Sequence, residues 1–309
     1  MRIPTPCGPL SEAVHDRLTA ARPLPVAPDP APTSRDHALA LWMLYELAYR
    51  GFDDVDPDLE WAPDVITLRN HLGRDLEDWL RERFAEHEGP RDLEGLVAAD
   101  SDVPGVARFV RDRATVEETL HVLQQRSVYH LKEADPQCFL LARLEPAAKA
   151  ALTELQYDEL GDGQAERVHQ TLFARAMEAA GLDPTYGAYV DVADEETLTL
   201  NNAMTLLCIN RRLRHAALGH LAAFEATSSL PSTDMVRGLQ RLGFDDTVSR
   251  YYDEHIEADA VHEHLARTIC DLATGGDPDL EAEVGFGAFV CLFTEERSAQ
   301  RLVPAAVPA

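Results

Sequence analysis

Three side chains able to bind a cation stand at His255, Asp259 and His262, in steps of four and three residues. On a helix these steps stack all three on one face, one turn above the next. Ala266 and Ile269 continue the stripe and are apolar. The face that carries two imidazoles and a carboxylate is therefore the face that points into the protein. Burying an unpaired ionisable group costs on the order of several kcal/mol, and a metal ion removes that cost. Four further residues qualify as co-ligands: Glu133, Glu159, His169 and Glu225. Taken singly, each has an ordinary reading, because helix-end glutamates are usually solvated and a histidine on an apolar face is usually a core residue. Taken together, the seven supply four carboxylates and three neutral imidazoles, a set that balances two divalent cations. Without metal, the carboxylates would repel one another and lose ionisation. Oxygen and nitrogen donors without thiolate suit iron or manganese better than zinc or Cu(I).

These residues need helices to position them, and the hydrophobic pattern is helical almost throughout. The spacing predicts a helix after Ser34 that stops at Gly51, and a long one over 65–88. A capping box at Thr115 and Glu118 opens a helix expected to run to Pro136, with Glu133 in its last turn. Pro146 opens a helix that ends at Gly161, just after Glu159. His169 lies on the inner side of a helix within 164–180. A single long helix is expected over 195–226, carrying Glu225 near its end, and a separate short one is expected from Pro231 to Gly243. Two more follow, the first carrying the His255 stripe and the second running from Pro278. Residues 1–33 hold Pro4, Pro6, Pro9, Pro23, Pro25, Pro28, Pro30 and Pro32. They read as a loose, partly disordered leader with a short helix at Leu10–Ala21. The expected organisation is this leader and then one all-helical domain over 34–300, divided into an N-terminal helical extension (34–112) and a metal-binding core (113–300).

The 309 residues carry a net charge of −26, with lysine only at Lys132 and Lys149. Nothing basic is clustered to meet phosphates, so nucleic acid and anionic membrane surfaces are poor partners. The five cysteines are scattered, with no CxxC pair, and read as reduced thiols in a cytoplasmic protein.

The order and spacing Glu133, Glu159, His169, Glu225, His255-x-x-x-Asp259-x-x-His262 resembles the haem-oxygenase-like diiron oxidases, the iron-containing redox enzymes. The likeness extends to YHLKEADP, QYDELGDGQAERVHQTLFARAMEAAGL, RRLRHAALGHLAAFEATSS and YYDEHIEADAVHEH, and covers roughly residues 115 to 297. The resemblance implies an all-α, haem-oxygenase-like helical bundle that holds two iron ions (Fe2+/Fe3+) and no haem, with O2 as co-substrate. It implies six core ligands, Glu133, His169, Glu225, His255, Asp259 and His262. Glu159 matches an additional carboxylate of the N-oxygenating branch. The implied activity is oxidation of a small amine, amino acid or similar metabolite, with N-oxygenation favoured over oxidative C–C cleavage or desaturation. An external electron donor and a homodimer are compatible with it.

Two other readings stand beside this one. Cys208, deep in a long helix, could serve as nucleophile in a thiaminase-like protein of the same fold, or the chain could bind iron without redox chemistry. Around the ligands, Tyr129, Tyr157, Tyr252 and Phe224 are candidate pocket residues. Asn201, Asn202, Arg211 and Arg212 are candidates for a substrate carboxylate.

Overall fold

The structure is a computed structural model that describes residues 1–20, 22, 24, 31–100 and 105–304, apart from the side chains of 257–260. Thirteen α-helices and no strand occur among the described residues. The first five are α1 (Pro9–Ala20), α2 (Arg35–Glu46), α3 (Pro63–Glu86), α4 (Leu93–Asp100) and α5 (Val106–Asp112). The other eight are α6 (Val116–His130), α7 (Asp135–Leu141), α8 (Pro146–Glu159), α9 (His169–Ala179), α10 (Glu195–Ile209), α11 (Arg214–Leu242), α12 (Asp246–Thr274) and α13 (Pro278–Leu302).

The local rules hold where caps decide. Ser34 accepts the His37 amide at the start of α2, and Thr115 and Glu118 form the reciprocal capping box that opens α6. They fail where tertiary packing decides. The helix expected to reach Pro136 ends at His130, so Glu133 lies in a turn and not in a helical last turn. Ala134 there takes a left-handed backbone (φ 70°), and Pro136 sits in the first turn of α7. The helix expected over 195–226 breaks at Asn210, whose backbone is extended (φ −98°, ψ 110°). The Asn210 side chain donates to the Leu206 carbonyl and closes the end of α10, a local bond that competes with helix continuation. Pro231 does not start a new helix but lies inside α11. Its missing N–H costs one ladder bond, and the packing of α11 along α5, α12 and α13 overrides that loss.

The core is built in two clusters. The larger joins α1, α2, α3, α10, α11 and α13, and the smaller joins α5, α6, α9, the end of α11 and the start of α12. α11 and α13 approach almost backbone to backbone. A Cβ at Gly219 would come within 1.9 Å of the Val284 carbonyl oxygen, and one at Gly287 within 1.7 Å of that of Ala216. α8 and α9 both pack on α12, so the helices that carry Glu159 and His169 face the helix that carries His255 and His262.

The opening segment is docked over its first twenty residues. Leu10, Val14 and Leu18 of α1 are buried in the larger cluster. The Met1 amino group pairs with Asp53 at 3.0 Å, and the Thr5 amide donates to Asp191. The short helix expected over Leu10–Ala21 is present as α1, and its apolar stripe gives the segment surface to bury; residues 21, 23 and 25–30 of the expected loose leader lie outside the described residues.

Candidate metal centre

Six of the seven expected ligands come together, none more than 6% exposed. Glu133 comes from the turn between α6 and α7, Glu159 is the last residue of α8, and His169 is the first of α9. Glu225 lies within α11, and His255 and His262 lie within α12. The seventh, Asp259, lies on α12 among the side chains outside the described residues.

The six form two groups. In one, Glu133, His169 and His255 each place a donor atom within 4.8 Å of the other two; in the other, Glu159, Glu225 and His262 do the same. Glu159 joins the groups: its Oε2 is 2.9 Å from His169 Nδ1, and its Oε1 is 3.4 Å from His262 Nδ1. His262 Nδ1 is also 3.5 Å from Glu225 Oε2, and His255 Nε2 is 3.6 Å from Glu133 Oε1.

The donors fit a metal better than they fit one another. His169 Nδ1 is buried and makes no hydrogen bond, although a carboxylate oxygen lies 2.9 Å away. Most of the other separations exceed hydrogen-bond length. Donors that share one cation at about 2 Å stand about 3–3.5 Å apart, which is the spacing seen.

Outer contacts choose which atom each ligand presents. His255 Nδ1 lies 2.7 Å from the Tyr251 carbonyl oxygen; donating to it leaves Nε2 as the acceptor facing Glu133. His262 is turned the other way. Its Nε2 donates to Asp158 Oδ2 at 2.6 Å and leaves Nδ1 facing the carboxylates. The Tyr251 hydroxyl donates to Glu133 Oε2 at 2.7 Å, and Gln170 Nε2 holds the Glu133 carbonyl at 2.8 Å. Beside Glu133, the fully buried Lys132 places its ammonium 3.7 Å from Glu46 and 4.3 Å from the centre of the Tyr49 ring. Gly161 sets the junction of α8 and α9. It has φ 68°, and a Cβ there would meet the Val168 amide nitrogen at 2.5 Å, so only glycine lets the chain fold back to bring His169 against Glu159.

The carboxylates and imidazoles of the cluster shift one another's ionisation. Burial disfavours the imidazolium of His255, but the neighbouring Glu133 carboxylate outweighs it and raises its pKa to about 10. His262, pushed down by burial and up by Glu225 and Glu159, reaches about 9. Glu133 is disfavoured as an anion by burial, yet His130 and His255 hold it well below the usual carboxylate range. Burial pushes Glu225 up.

Beside both groups lies a cavity of about 10 Å³, room for roughly one water. Besides ligands, its walls include Tyr129, Gln137, Leu155, Gln156, Leu221 and Phe224. Tyr129 and Phe224 thus stand where the sequence placed them. Tyr252 is buried in the smaller core cluster and Tyr157 is exposed. Asn201 and Asn202 donate to the Thr197 and Ala38 carbonyls, Arg211 is exposed, and Arg212 is paired with Glu77. Arg212 borders a separate cavity of about 140 Å³, together with Arg69 and Arg74. Cys208 is buried, and burial pushes its thiol up to about 12, which disfavours the thiolate a nucleophile needs. Sequence reasoning missed Asp158 and Tyr251. Asp158 abuts Glu159, and Tyr251 lies one helical turn before His255; each had a sequence signal of position but not of partner.

Residues 120–296 match the family of iron-containing redox enzymes, and the chain belongs to that family. Its fold is of the haem-oxygenase-like helical class, and two buried Glu/His groups are candidate iron sites. Over 141 residues, 44% of the chain, it is 33% identical to a nitrosourea synthase of Streptomyces achromogenes subsp. streptozoticus. The matched region spans 29% of that relative's length. Among solved structures it is similar to a CADD-like protein of unknown function from Nostoc punctiforme PCC 73102. That likeness has a TM-score of 0.51 at 19% identity and covers 74% of this chain and 96% of the other.

Proposed function

We propose that this chain is a non-haem diiron, O2-dependent oxidase or oxygenase that acts on a small amine or amino acid, with oxidation at nitrogen favoured. The observation that carries the proposal is the position of Glu159. One carboxylate turns one oxygen to each of two buried donor groups, as a ligand shared by two metals would. Glu133, His169 and His255 would hold one iron, and Glu159, Glu225 and His262 the other, with Asp259 as the remaining donor. Bound iron would supply redox chemistry with O2, and an external reductant belongs to the proposal. Tyr251 and Asp158 orient the ligands, while Tyr129, Phe224, Leu155 and Leu221 keep bulk water from the cavity. The match to a nitrosourea synthase, whose named product carries an oxidised nitrogen, favours nitrogen as the site of oxidation.

The test is incubation of the iron-loaded chain with amines and amino acids under isotopically heavy O2. The expected product carries label on nitrogen. A product shortened by carbon, or one that has lost two hydrogens without gaining label, would assign the site to cleavage or desaturation instead.

A further inference from the structure

Two carboxamides in the cavity wall have atoms with nothing to bond to. Gln137 is 4% exposed and Gln156 is 3% exposed, and both border the cavity beside the two donor groups. Gln137 Oε1 and Gln156 Nε2 are buried and make no hydrogen bond. The orientation of the Gln156 amide follows from Cys138, whose thiol donates to Gln156 Oε1 at 3.3 Å and so leaves Nε2 unused. Leaving a buried donor or acceptor unmade costs about 1–3 kcal/mol each. Here one of each kind, from α7 and from α8, is left in the same wall. The rest of that wall is apolar or aromatic, as at Leu155, Leu221 and Phe224, or belongs to the candidate ligands.

We propose that Gln137 and Gln156 form the polar clamp that selects the substrate of this site, taking a ligand that carries an N–H donor and an oxygen acceptor at one end. This rests on the reading of the site as an oxidase of small nitrogen compounds. Gln137 Oε1 accepts from the ligand N–H, and Gln156 Nε2 donates to its carbonyl or carboxylate oxygen. An amino acid or its amide satisfies both groups. A plain amine satisfies only Gln137 and leaves the Gln156 donor buried and unpaired, which selects against it. The cavity as it stands holds about one water, so the ligand enters by displacing that volume and moving the partly buried Phe224 ring, which stands edge-on to Tyr129 at 5.7 Å.

The experiment is calorimetric binding to the iron-loaded full chain without O2, using each common amino acid, its amide and the corresponding decarboxylated amine. At least one amino acid or amide is expected to bind about tenfold or more tightly than its amine. Gln156→Leu is expected to abolish that preference, and Gln137→Leu to weaken acid, amide and amine alike, with iron per chain unchanged in both variants. Equal binding of amines and carbonyl-bearing ligands, a preference that survives Gln156→Leu, or no saturable binding by any probe would overturn the clamp. An iron count below two in the unaltered chain would instead overturn the diiron reading, so the two failures are distinct. Should either variant fold poorly, Gln137→Glu, which keeps the acceptor and the shape, is expected to retain the amino-acid preference; its loss there would also count against the proposal.

Discussion

At the scale of single residues, the site depends as much on the atoms behind the donors as on the donors. His262 presents Nδ1 because Asp158 takes its Nε2 proton. Asp158→Ala is therefore expected to weaken iron binding about 10–100-fold, measured by chelator competition, with little change in the unfolding midpoint because Asp158 is partly exposed. Unchanged affinity would show that the contact is incidental. His255→Ala and Glu225→Ala each remove a donor and are expected to lose iron without unfolding; two metals retained in either variant would contradict the ligand assignment. Away from the site, burial lowers the His220 pKa to about 4, against about 6.5 in the unfolded chain. The unfolded state then binds more protons below pH 6.5, so the stability tied to neutral His220 is present above that pH and is lost as pH falls toward 4. The expected loss is roughly 2 kcal/mol between pH 6.5 and 5. His220→Gln should show less acid sensitivity over this window in denaturant titrations, and an identical pH profile would refute the assignment.

At the scale of elements, the ligands are set by interruptions as much as by helices. His255 and His262 were legible in the sequence because both lie on one α12, where periodicity alone fixes the face. Glu159 was legible as a carboxylate at a helix end, His169 as an imidazole on the inner side of a helix, and Glu225 as a carboxylate near the end of an apolar helix. Glu133 was singled out as a candidate ligand but expected in a helical last turn, because the stop at His130 depends on the left-handed Ala134 and on Gln170 and Lys132 reaching other elements. Those are contacts between distant parts of the chain, which local propensity does not encode. The same holds for the break at Asn210 and the unbroken run through Pro231. The Asp158 and Tyr251 roles were not legible, since each needs a partner about a hundred residues away. The Gly161 junction offers the element-scale test. Gly161→Ala puts a side chain at positive φ, at a cost of about 1–2 kcal/mol, and drives it into the Val168 amide. The variant should fold but hold less iron, because Glu159 and His169 are forced apart. Full iron loading in Gly161→Ala would mean that the junction does not position them.

At the scale of the whole molecule, a chain of net charge −26 gathers buried carboxylates at its centre, and cations are the natural counterweight. Metal loading is expected to raise the thermal midpoint, and chelation to lower it, because the ions bind the folded state. The cysteines separate the redox reading from the thiol one. Cys7 and Cys138 are exposed, whereas Cys208, Cys270 and Cys291 are buried. Alkylation of the folded chain followed by mass spectrometry should mark the first two alone. Rapid labelling of Cys208 would revive the nucleophile alternative. The central claim is two irons held by groups that share Glu159, and the most direct measurement is anaerobic Fe(II) titration with iron counted per chain by Mössbauer spectroscopy, in the unaltered protein and in Glu159→Ala. The diiron assignment requires about two ferrous ions in the unaltered chain, consumption of O2 when air is admitted, and a changed pair of iron signals when Glu159 is lost. A single iron per chain, or a spectrum that Glu159→Ala leaves untouched, would contradict it.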